Sequence, residues 1–343
     1  MQIVSFFKKL FIGINVLVAA SLLLACLVPY ISLETLPFVA FLSLGIPILV
    51  FVNLLFLLFW AFSGKKQLFL SLIVLIISYF SLSSFFMFRF TSDDADSKAD
   101  LKVMTYNVRG FNRYKNIDAP NVFDEILDLI NTENPDVICF QEFDDNKQKA
   151  FKNYKYKYLK YIDNKGKVTL AVYSKFPIIN EGLINFPESP NNASFVDIRV
   201  KKDTIRVYNL HLESLRVIPD KDVIAKEESK KLYKRVTHSF KKQQEQAEII
   251  KENLQNTSYK AIVCGDFNGT QYSNVYRTIR SDLQDSFQEK GSGYGRTYNF
   301  KYYPVRIDFI LVDKSFEVVS HQNYDAKLSD HFPVMTSINL QSH

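Results

Sequence analysis

Two oxygen-bearing side chains follow a short apolar run in the C-terminal half of the chain. Residues 261–264 are apolar, Gly265 follows them, and Asp266 and Asn268 come next. An apolar run that breaks at a glycine predicts a buried strand passing into a loop. Side chains two positions apart leave a strand on the same face, so Asp266 and Asn268 can point at one spot beyond its end. A carboxylate beside an amide suits an attacking water and an oxyanion, while an Asx turn that closes a buried strand explains the same residues equally well.

Further polar side chains stand where other predicted strands begin or end. They are Asn107, Glu142, His211, Asp308, Asp330 and His331. Each has an ordinary structural interpretation when taken alone, since a lone histidine is more often a surface or satisfied core residue than a catalytic one. Ligands collect beyond the strand ends of layered α/β folds, so the shared placement of these side chains indicates one site.

The sequence predicts an α/β domain whose strands place these polar side chains. Residues 101–107 alternate weakly and predict a strand, residues 120–131 have helical spacing, and residues 136–142 form a continuous apolar strand that ends on a carboxylate. Closely spaced strands between residues 168 and 209 predict antiparallel hairpins. Residues 220–256 are dense in Lys, Glu and Gln with apolar residues at helical intervals, which predicts one or two solvated helices.

The N-terminal part has the composition of a membrane protein. Between residues 10 and 88 the only charged residues are Glu34, Lys65 and Lys66. Residues 10–31, 36–62 and 69–88 each supply the roughly 20 apolar residues that a helix needs to cross a bilayer. A buried helical core of a soluble protein would still need polar outer faces, and the sequence has none here. We therefore predict three transmembrane helices.

The distribution of cations predicts the orientation of these helices, because short loops rich in Lys and Arg stay in the cytoplasm. Lys8 and Lys9 precede the first segment, and Lys65 and Lys66 lie between the second and third. The N-terminus is thus expected inside, and three crossings place the rest of the chain outside the cytoplasm. The expected organisation is a transmembrane region at 1–90, a polar linker at 91–100 and one domain at 101–343.

Charge and cysteine content narrow the function of the soluble part. Of the formal net charge of +6, +4 belongs to residues 1–90 and +2 to the remainder. A domain this close to neutral gives no electrostatic reason for non-specific binding of nucleic acid. Cys139 and Cys264 lie in apolar strand-like runs, which predicts buried thiols and no disulfide framework.

The order of the polar motifs resembles that of the endonuclease/exonuclease/phosphatase superfamily, which has the fold of pancreatic deoxyribonuclease. In this sequence the motifs are Asn107, Glu142, His211, Asp266 with Asn268, Asp308, and Asp330 with His331. The resemblance covers about residues 102–338. It implies a four-layer α/β/β/α sandwich of two mixed sheets with helices outside. It also implies hydrolysis of phosphate esters with a divalent metal, usually magnesium, with manganese as an alternative.

The resemblance also implies a metal site. Glu142 resembles the principal metal ligand of the family, and Asn107 and Asp330 resemble the residues that complete the site. Carboxylate and amide oxygens suit a hard cation that keeps several waters.

Catalytic roles carried over from the family fall on five residues. Asp266 resembles the group that orients or deprotonates the attacking water, and Asn268 the amide that holds a phosphate oxygen. His331 resembles the imidazole that stabilises the phosphorane, and Asp308 its orienting carboxylate. His211 resembles the second histidine, which assists phosphate binding or protonation of the leaving group.

Two departures from the family pattern bear on function. Some relatives pair the second histidine with an upstream Glu, and no Glu occurs between residues 143 and 180, so His211 is expected to act unpaired or through water. The long basic insertions with which nucleases grip DNA are also missing from the sequence.

The leading hypothesis is a membrane-anchored, metal-dependent phosphoesterase that acts outside the cytoplasm on phosphodiesters of lipid head groups or small molecules. An extracytoplasmic nuclease, with nucleic acid as the substrate, is the first alternative. A catalytically silent binding domain on a membrane anchor is the second, and the full set of acids and imidazoles speaks against it.

Overall fold

The computed structural model describes residues 2–31, 39–82, 85–89, 99–115, 117–160, 169–216, 229–300 and 303–340. Internal contacts divide the chain into two units. The first comprises Met1–Phe85 and Thr270–Arg277, and the second comprises Phe86–Gly269 and Thr278–His343.

The first unit contains helices α1 (Gln2–Leu27), α2 (Ala40–Phe62) and α3 (Leu68–Ser81). The segments Ser5–Tyr30 and Ala40–Phe62 are long and apolar enough to span a membrane. The expected third span at 69–88 is wrong as a single long helix, because α3 has only 14 residues and measures about 21 Å at 1.5 Å per residue. Serines at positions 81, 83 and 84 are weak helix formers, and residues 85–89 are not helical.

The polarity of this unit is the reverse of that of a soluble helical bundle. Asn15 of α1 donates to the Ser71 hydroxyl of α3 at 2.9 Å and accepts from the Trp60 indole of α2 at 3.0 Å, and all three side chains are buried. Large apolar side chains point outward instead, including Phe80 at 81% exposure and Phe62 at 91%. Interhelical polar contacts inside and apolar residues outside are typical of helices packed in lipid.

The second unit is built from two six-stranded mixed sheets. The strands are β1 (Leu101–Asn107), β2 (Val137–Gln141), β3 (Tyr156–Lys160), β4 (Leu170–Ser174), β5 (Ile178–Asn185), β6 (Asn192–Val200), β7 (Asp203–His211), β8 (Lys260–Asp266), β9 (Gln284–Asp285), β10 (Tyr298–Phe300), β11 (Tyr303–Val305), β12 (Asp308–Val312), β13 (Phe316–Asn323) and β14 (Val334–Leu340). The first sheet has the order β13-β14-β1-β2-β4-β3 and the second β5-β6-β7-β8-β12-β9, while β10 and β11 form a separate hairpin. Only two neighbouring pairs in the six-stranded sheets are parallel, β1 with β2 and β7 with β8. Each parallel pair lies at the centre of its sheet.

The sheets pack face to face with helices on their outer surfaces, which confirms the expected four-layer α/β/β/α sandwich. Inward-facing residues such as Val103 of β1 and Val207 of β7 belong to one fully buried apolar cluster between the sheets. Helix α4 (Val122–Glu133) buries Ile126 and Ile130 on the outer face of the first sheet. Helix α5 (Ser229–Gln255) covers the second sheet, where the Tyr208 hydroxyl donates to Asn253 at 2.8 Å.

Helices α6 (Asn274–Arg280) and α7 (Ser286–Lys290) are short. Cys139 and Cys264 are buried free thiols, as expected.

Polar contacts fix the two sheets against each other just below their carboxyl-terminal edges. Gln141 of β2 donates to the Asn209 amide oxygen of β7 at 2.6 Å, and Asn209 donates back to the Phe140 carbonyl at 2.9 Å. Within the second sheet, Gly265 has a φ of 135°, and a Cβ there would lie 2.1 Å from the Leu210 carbonyl oxygen. Only glycine permits this close approach of β7 to β8.

Candidate active site

The ends of the four central strands carry four of the predicted site residues. Asn107 ends β1, Glu142 directly follows β2, His211 ends β7 and Asp266 ends β8. Carboxyl ends of parallel neighbours meet at the same edge of a sheet. The Asn107 side chain links the two edges, because its amide nitrogen donates to Glu142 at 3.2 Å and to Asp266 at 3.1 Å. One polar cluster therefore spans both sheets.

Asp266 lies at the centre of this cluster and is almost fully buried. Its Oδ1 accepts the backbone N–H of Asn268 at 2.8 Å. Its Oδ2 lies 3.5 Å from Nε2 of His211 and 3.6 Å from Nε2 of His331. Burial raises the pKa of Asp266 to about 6, with the nearby histidines opposing the rise. A carboxyl group poised near neutral pH can orient a water and take its proton.

His331 and Asp308 form a buried imidazole–carboxylate pair. Nδ1 of His331 lies 2.9 and 3.1 Å from the two carboxylate oxygens of Asp308. Burial favours the neutral imidazole, but Asp308 and Asp266 outweigh it and raise the pKa of His331 to about 10. The ring is thus a cation at neutral pH, with Nε2 directed towards Asp266.

His211 differs from His331 in both partner and charge. Its Nδ1 is buried without a hydrogen-bond partner among the described residues. Burial lowers the pKa of His211, with Asp266 opposing, so the ring is neutral at physiological pH. A neutral imidazole beside a cationic one can accept or relay a proton.

Asn268 has backbone contacts that the sequence did not indicate. Its side-chain Nδ2 donates to the Leu212 carbonyl at 2.9 Å, and its backbone carbonyl accepts from the Gln243 side chain at 3.0 Å. The residue has a φ of 50°, a left-handed conformation that asparagine tolerates. The structure therefore brings the Asn268 backbone N–H to Asp266 while its side chain anchors the loop.

Asp330 forms an ion pair with Arg109, whose Nη1 lies 2.6 Å from Asp330 Oδ2. The other oxygen, Oδ1, is 3.2 Å from the Ser329 hydroxyl, but that hydroxyl has a shorter bond of 2.8 Å to the Asn107 carbonyl. Because a hydroxyl has one proton, Oδ1 of Asp330 keeps its lone pairs for another partner.

The oxygens around Glu142 fit a hard divalent cation. Glu142 is about one-third exposed at 35%, and its Oε2 accepts no hydrogen bond from the described residues. Asn107 Oδ1 accepts one bond, from the Arg109 N–H at 3.1 Å, and retains a second lone pair. Carboxylate and amide oxygens open to solvent are the donors that magnesium and manganese prefer.

A second group with metal-ligand side chains consists of Asp266, Asp308 and His331, whose candidate ligand atoms lie within 4.8 Å of one another. All three are buried, and His331 Nδ1 is already bonded to Asp308. The hydrogen bonds within this group account for its geometry, whereas Glu142 has an oxygen to spare.

A strained turn connects the site to its surroundings. Arg109, Gly110, Phe111 and Asn112 have φ values of 44°, 62°, 55° and 62°. A left-handed conformation costs a non-glycine residue about 1–2 kcal/mol. The turn is stabilised by the bond from Gly110 N–H to the Glu142 carbonyl at 2.7 Å. Such strain is concentrated at functional sites in proteins.

Three further residues near the site make contacts that the sequence does not predict. The Thr297 hydroxyl accepts the N–H groups of Ile307 and Asp308, both at 3.0 Å, and so positions the start of β12. The Tyr298 ring packs on His331 at 4.8 Å between centroids, and Arg109 neutralises Asp330. No local sequence signal identifies these pairs, because their members lie far apart in the chain.

Comparison with family models finds a match over residues 104–331 to the model described as Endonuclease/Exonuclease/phosphatase family. A second model, described as a domain of unknown function (DUF8431), matches residues 8–85. Comparison with curated proteins finds no match.

Solved structures with a similar fold come from bacteria and from human. An endonuclease/exonuclease/phosphatase family protein from Bacteroides thetaiotaomicron aligns with a TM-score of 0.56 and 20% identity, covering 71% of this chain and 98% of that one. A mannosyl-6-phosphatase from the same species has a TM-score of 0.54 and 20% identity, covering 69% and 99%. The human Nocturnin catalytic domain with a bound sulfate anion has a TM-score of 0.51 and 18% identity, covering 70% and 93%. At these identities the likeness is one of fold.

Proposed function

Because the chain belongs to the endonuclease/exonuclease/phosphatase family, whose members are hydrolases of phosphate esters, we propose that it is a membrane-anchored, divalent-metal-dependent phosphoesterase. Its proposed substrates are phosphodiesters of lipid head groups or small molecules, and its proposed place of action is outside the cytoplasm.

The observation that carries this proposal is the convergence of both imidazoles on one carboxylate. Nε2 of His211 and Nε2 of His331 lie 3.5 and 3.6 Å from the same oxygen of Asp266. Phosphate esters are anionic and repel nucleophiles, so their hydrolysis needs positive charge on the non-bridging oxygens and an aligned water. This cluster supplies both requirements.

Asp266 is the residue that activates the water in this proposal. With a pKa of about 6 it is ionised at neutral pH yet basic enough to take a proton. The Asn268 N–H at 2.8 Å holds its Oδ1, and its Oδ2, which accepts one bond from Asn107 at 3.1 Å, keeps a second lone pair for the water. His331, fixed by Asp308, presents a cation to the phosphate. The neutral His211, 3.5 Å from Asp266, accepts the proton that Asp266 takes from the water and passes it to the leaving oxygen.

Glu142, Asn107 and Asp330 would hold the divalent cation, magnesium or manganese, through their remaining oxygen lone pairs. When bound, the cation supplies positive charge to the phosphate oxygens. Arg109 competes for Asp330 at 2.6 Å, so its guanidinium holds that carboxylate in place in the absence of the ion.

Hydrolysis of bis(4-nitrophenyl) phosphate by the full-length protein in detergent, with and without magnesium, tests the enzymatic proposal. Asp266→Ala and His331→Ala should each abolish the magnesium-dependent rate. His321→Ala is the matched control, because His321 is a histidine bonded to Ser286 at 2.8 Å and has no contact with the site. Equal rates in the wild type and the two site variants would contradict the proposal.

A comparison of substrates separates the proposed class from the nuclease alternative. Release of head groups from phospholipid vesicles without nicking of plasmid DNA supports the proposal. Nicking of plasmid without head-group release would identify a nuclease instead.

The reversed polarity of the N-terminal helices supports the membrane anchor. Asn15, Trp60 and Ser71 bond to one another inside the unit, and apolar side chains of all three helices face outward. Action outside the cytoplasm further requires that α3 cross the bilayer, although its 14 residues are short for a full span.

Reporter fusions after His343 test this orientation. A periplasm-dependent alkaline phosphatase should be active and a cytoplasm-dependent fluorescent protein should be dark if the chain crosses three times. The opposite pattern would indicate two crossings and a domain on the cytoplasmic side.

A further inference from the structure

Beside the candidate active site lies a cavity of about 300 Å³. It is lined by the strained turn, through Arg109 and Asn112, and by Tyr114, Asn299, Lys327 and Asp330. A cavity of this volume is at the lower end of the range for ligand sites, about 300–1,000 Å³. It shares Asp330 with the proposed metal site, so a ligand group in it adjoins the reacting phosphate.

The charge of the cavity is positive. Asp330 is the only acidic residue among the described residues of the lining, and Arg109 neutralises it through the 2.6 Å ion pair. Lys327 is exposed and forms no ion pair with a described residue. One cation is therefore left uncompensated on the cavity wall, which Asn299 also lines.

Hydrogen bonds within the chain fix the walls of the cavity. The Asn112 side chain bonds to both the N–H and the C=O of Ile117, at 3.0 and 2.9 Å, and closes the loop that carries Tyr114. The left-handed turn is bonded to Glu142 through Gly110. A strained, closed loop beside a reacting centre is expected where a fixed shape matters for binding.

We propose that this cavity is a subsite for a second anionic group of the substrate. The inference rests on the proposed phosphoesterase function and specifies its substrate class as small phosphate esters or head groups that carry a second phosphate. Arg109 and Lys327 contact the second group, Asn299 donates to it, and Tyr114 covers the carbon skeleton between the two phosphates. A single uncompensated lysine favours a compact dianion over a nucleic-acid strand, whose binding needs several cations in a row.

Two chromogenic substrates that differ by one phosphate test the proposal with the full-length protein. Ethyl 4-nitrophenyl phosphate carries only the diester, and 2-phosphonooxyethyl 4-nitrophenyl phosphate carries an added monoester. The wild type should prefer the second by kcat/KM. Lys327→Gln should reduce this preference by up to about fivefold, as expected for loss of one ion pair at an exposed site.

Lys314→Gln provides the matched control, because Lys314 is an exposed lysine in the turn before β13 and does not line the cavity. It makes the same change of charge and should keep the wild-type preference. Equal preferences in Lys327→Gln and Lys314→Gln would overturn the subsite.

Two further outcomes separate a failure of the proposed function from a failure of the subsite alone. No hydrolysis of either substrate by the wild type would refute the proposed function and this inference together. If Lys327→Gln instead impairs cleavage of an oligonucleotide and leaves the preference between the two small esters unchanged, the subsite for a compact dianion is wrong.

Discussion

Replacing Asp308 with asparagine should change the charge of His331 while leaving the position of its ring unchanged. The asparagine side chain can still accept the Nδ1–H bond that now measures 2.9 Å, so the ring should keep its orientation. Without the Asp308 carboxylate, burial is opposed mainly by Asp266, so the pKa of His331 should fall from about 10 towards the ordinary histidine value of about 6.5.

The expected loss of activity follows from the protonated fraction. In the proposed mechanism the imidazole stabilises the phosphorane only as a cation, so activity should be present below its pKa and disappear above it. At pH 8.5 a histidine with a pKa of about 10 is roughly 97% protonated, whereas one with a pKa of about 6.5 is roughly 1% protonated. Asp308→Asn should thus be about a hundredfold slower than the wild type at pH 8.5 and much closer to it at pH 6.

The assay is kcat/KM for bis(4-nitrophenyl) phosphate between pH 6 and 9.5 at saturating magnesium. The wild type should show no alkaline decline up to about pH 9, and the variant should decline above about pH 6.5. Asp197→Asn is the control, since it removes another buried carboxylate, paired with Arg206 at 2.7 Å, and should keep the wild-type profile. An unchanged profile in Asp308→Asn would refute the assignment of His331 as the cation.

Three other predictions concern the stability of the fold. Burial lowers the pKa of His321 to about 4, so stability should fall by up to about 3 kcal/mol as the pH drops from about 6.5 to about 4; denaturant unfolding at pH 4.5 and 7.5 should show a smaller difference for His321→Gln. Gly265→Ala should prevent folding or reduce stability by more than about 3 kcal/mol, because its Cβ would meet the Leu210 carbonyl at 2.1 Å; near-native thermal unfolding would contradict this. Thr297→Val should lower the free energy of unfolding by about 2–4 kcal/mol, because it removes the acceptor of the Ile307 and Asp308 N–H groups. Thr297→Ser keeps a hydroxyl and should retain most of the wild-type stability in the same thermal unfolding experiments.

The sequence predicts the central strands well because their signals are local. An apolar run that ends on a polar residue identifies the end of β1 at Asn107 and of β8 at Asp266 without any knowledge of the partner strands. The order of the polar motifs, which resembles that of the family, then predicts that these strand ends form one site. The structure brings Asn107 within 3.1 Å of Asp266, and their chemical roles are still predictions.

The features that escaped prediction depend on contacts between distant parts of the chain or on irregular backbone. The turn at Arg109 is left-handed at four successive residues, which only one glycine hints at. Strand β13 carries a register shift between Val318 and Ser320 that disturbs its alternation. The third N-terminal helix was overestimated because apolar composition continues beyond Ser81, where the helix ends.

The division between central strands and peripheral loops has an evolutionary consequence. Asn107, His211 and Asp266 stand at the ends of strands enclosed on both faces, so their positions vary little when the rim of the domain changes. The cavity beside them is built from the segment after Arg109 and from the hairpin and loop that carry Asn299 and Lys327. Insertions or substitutions there can change which molecule enters without moving the residues of the proposed hydrolytic site.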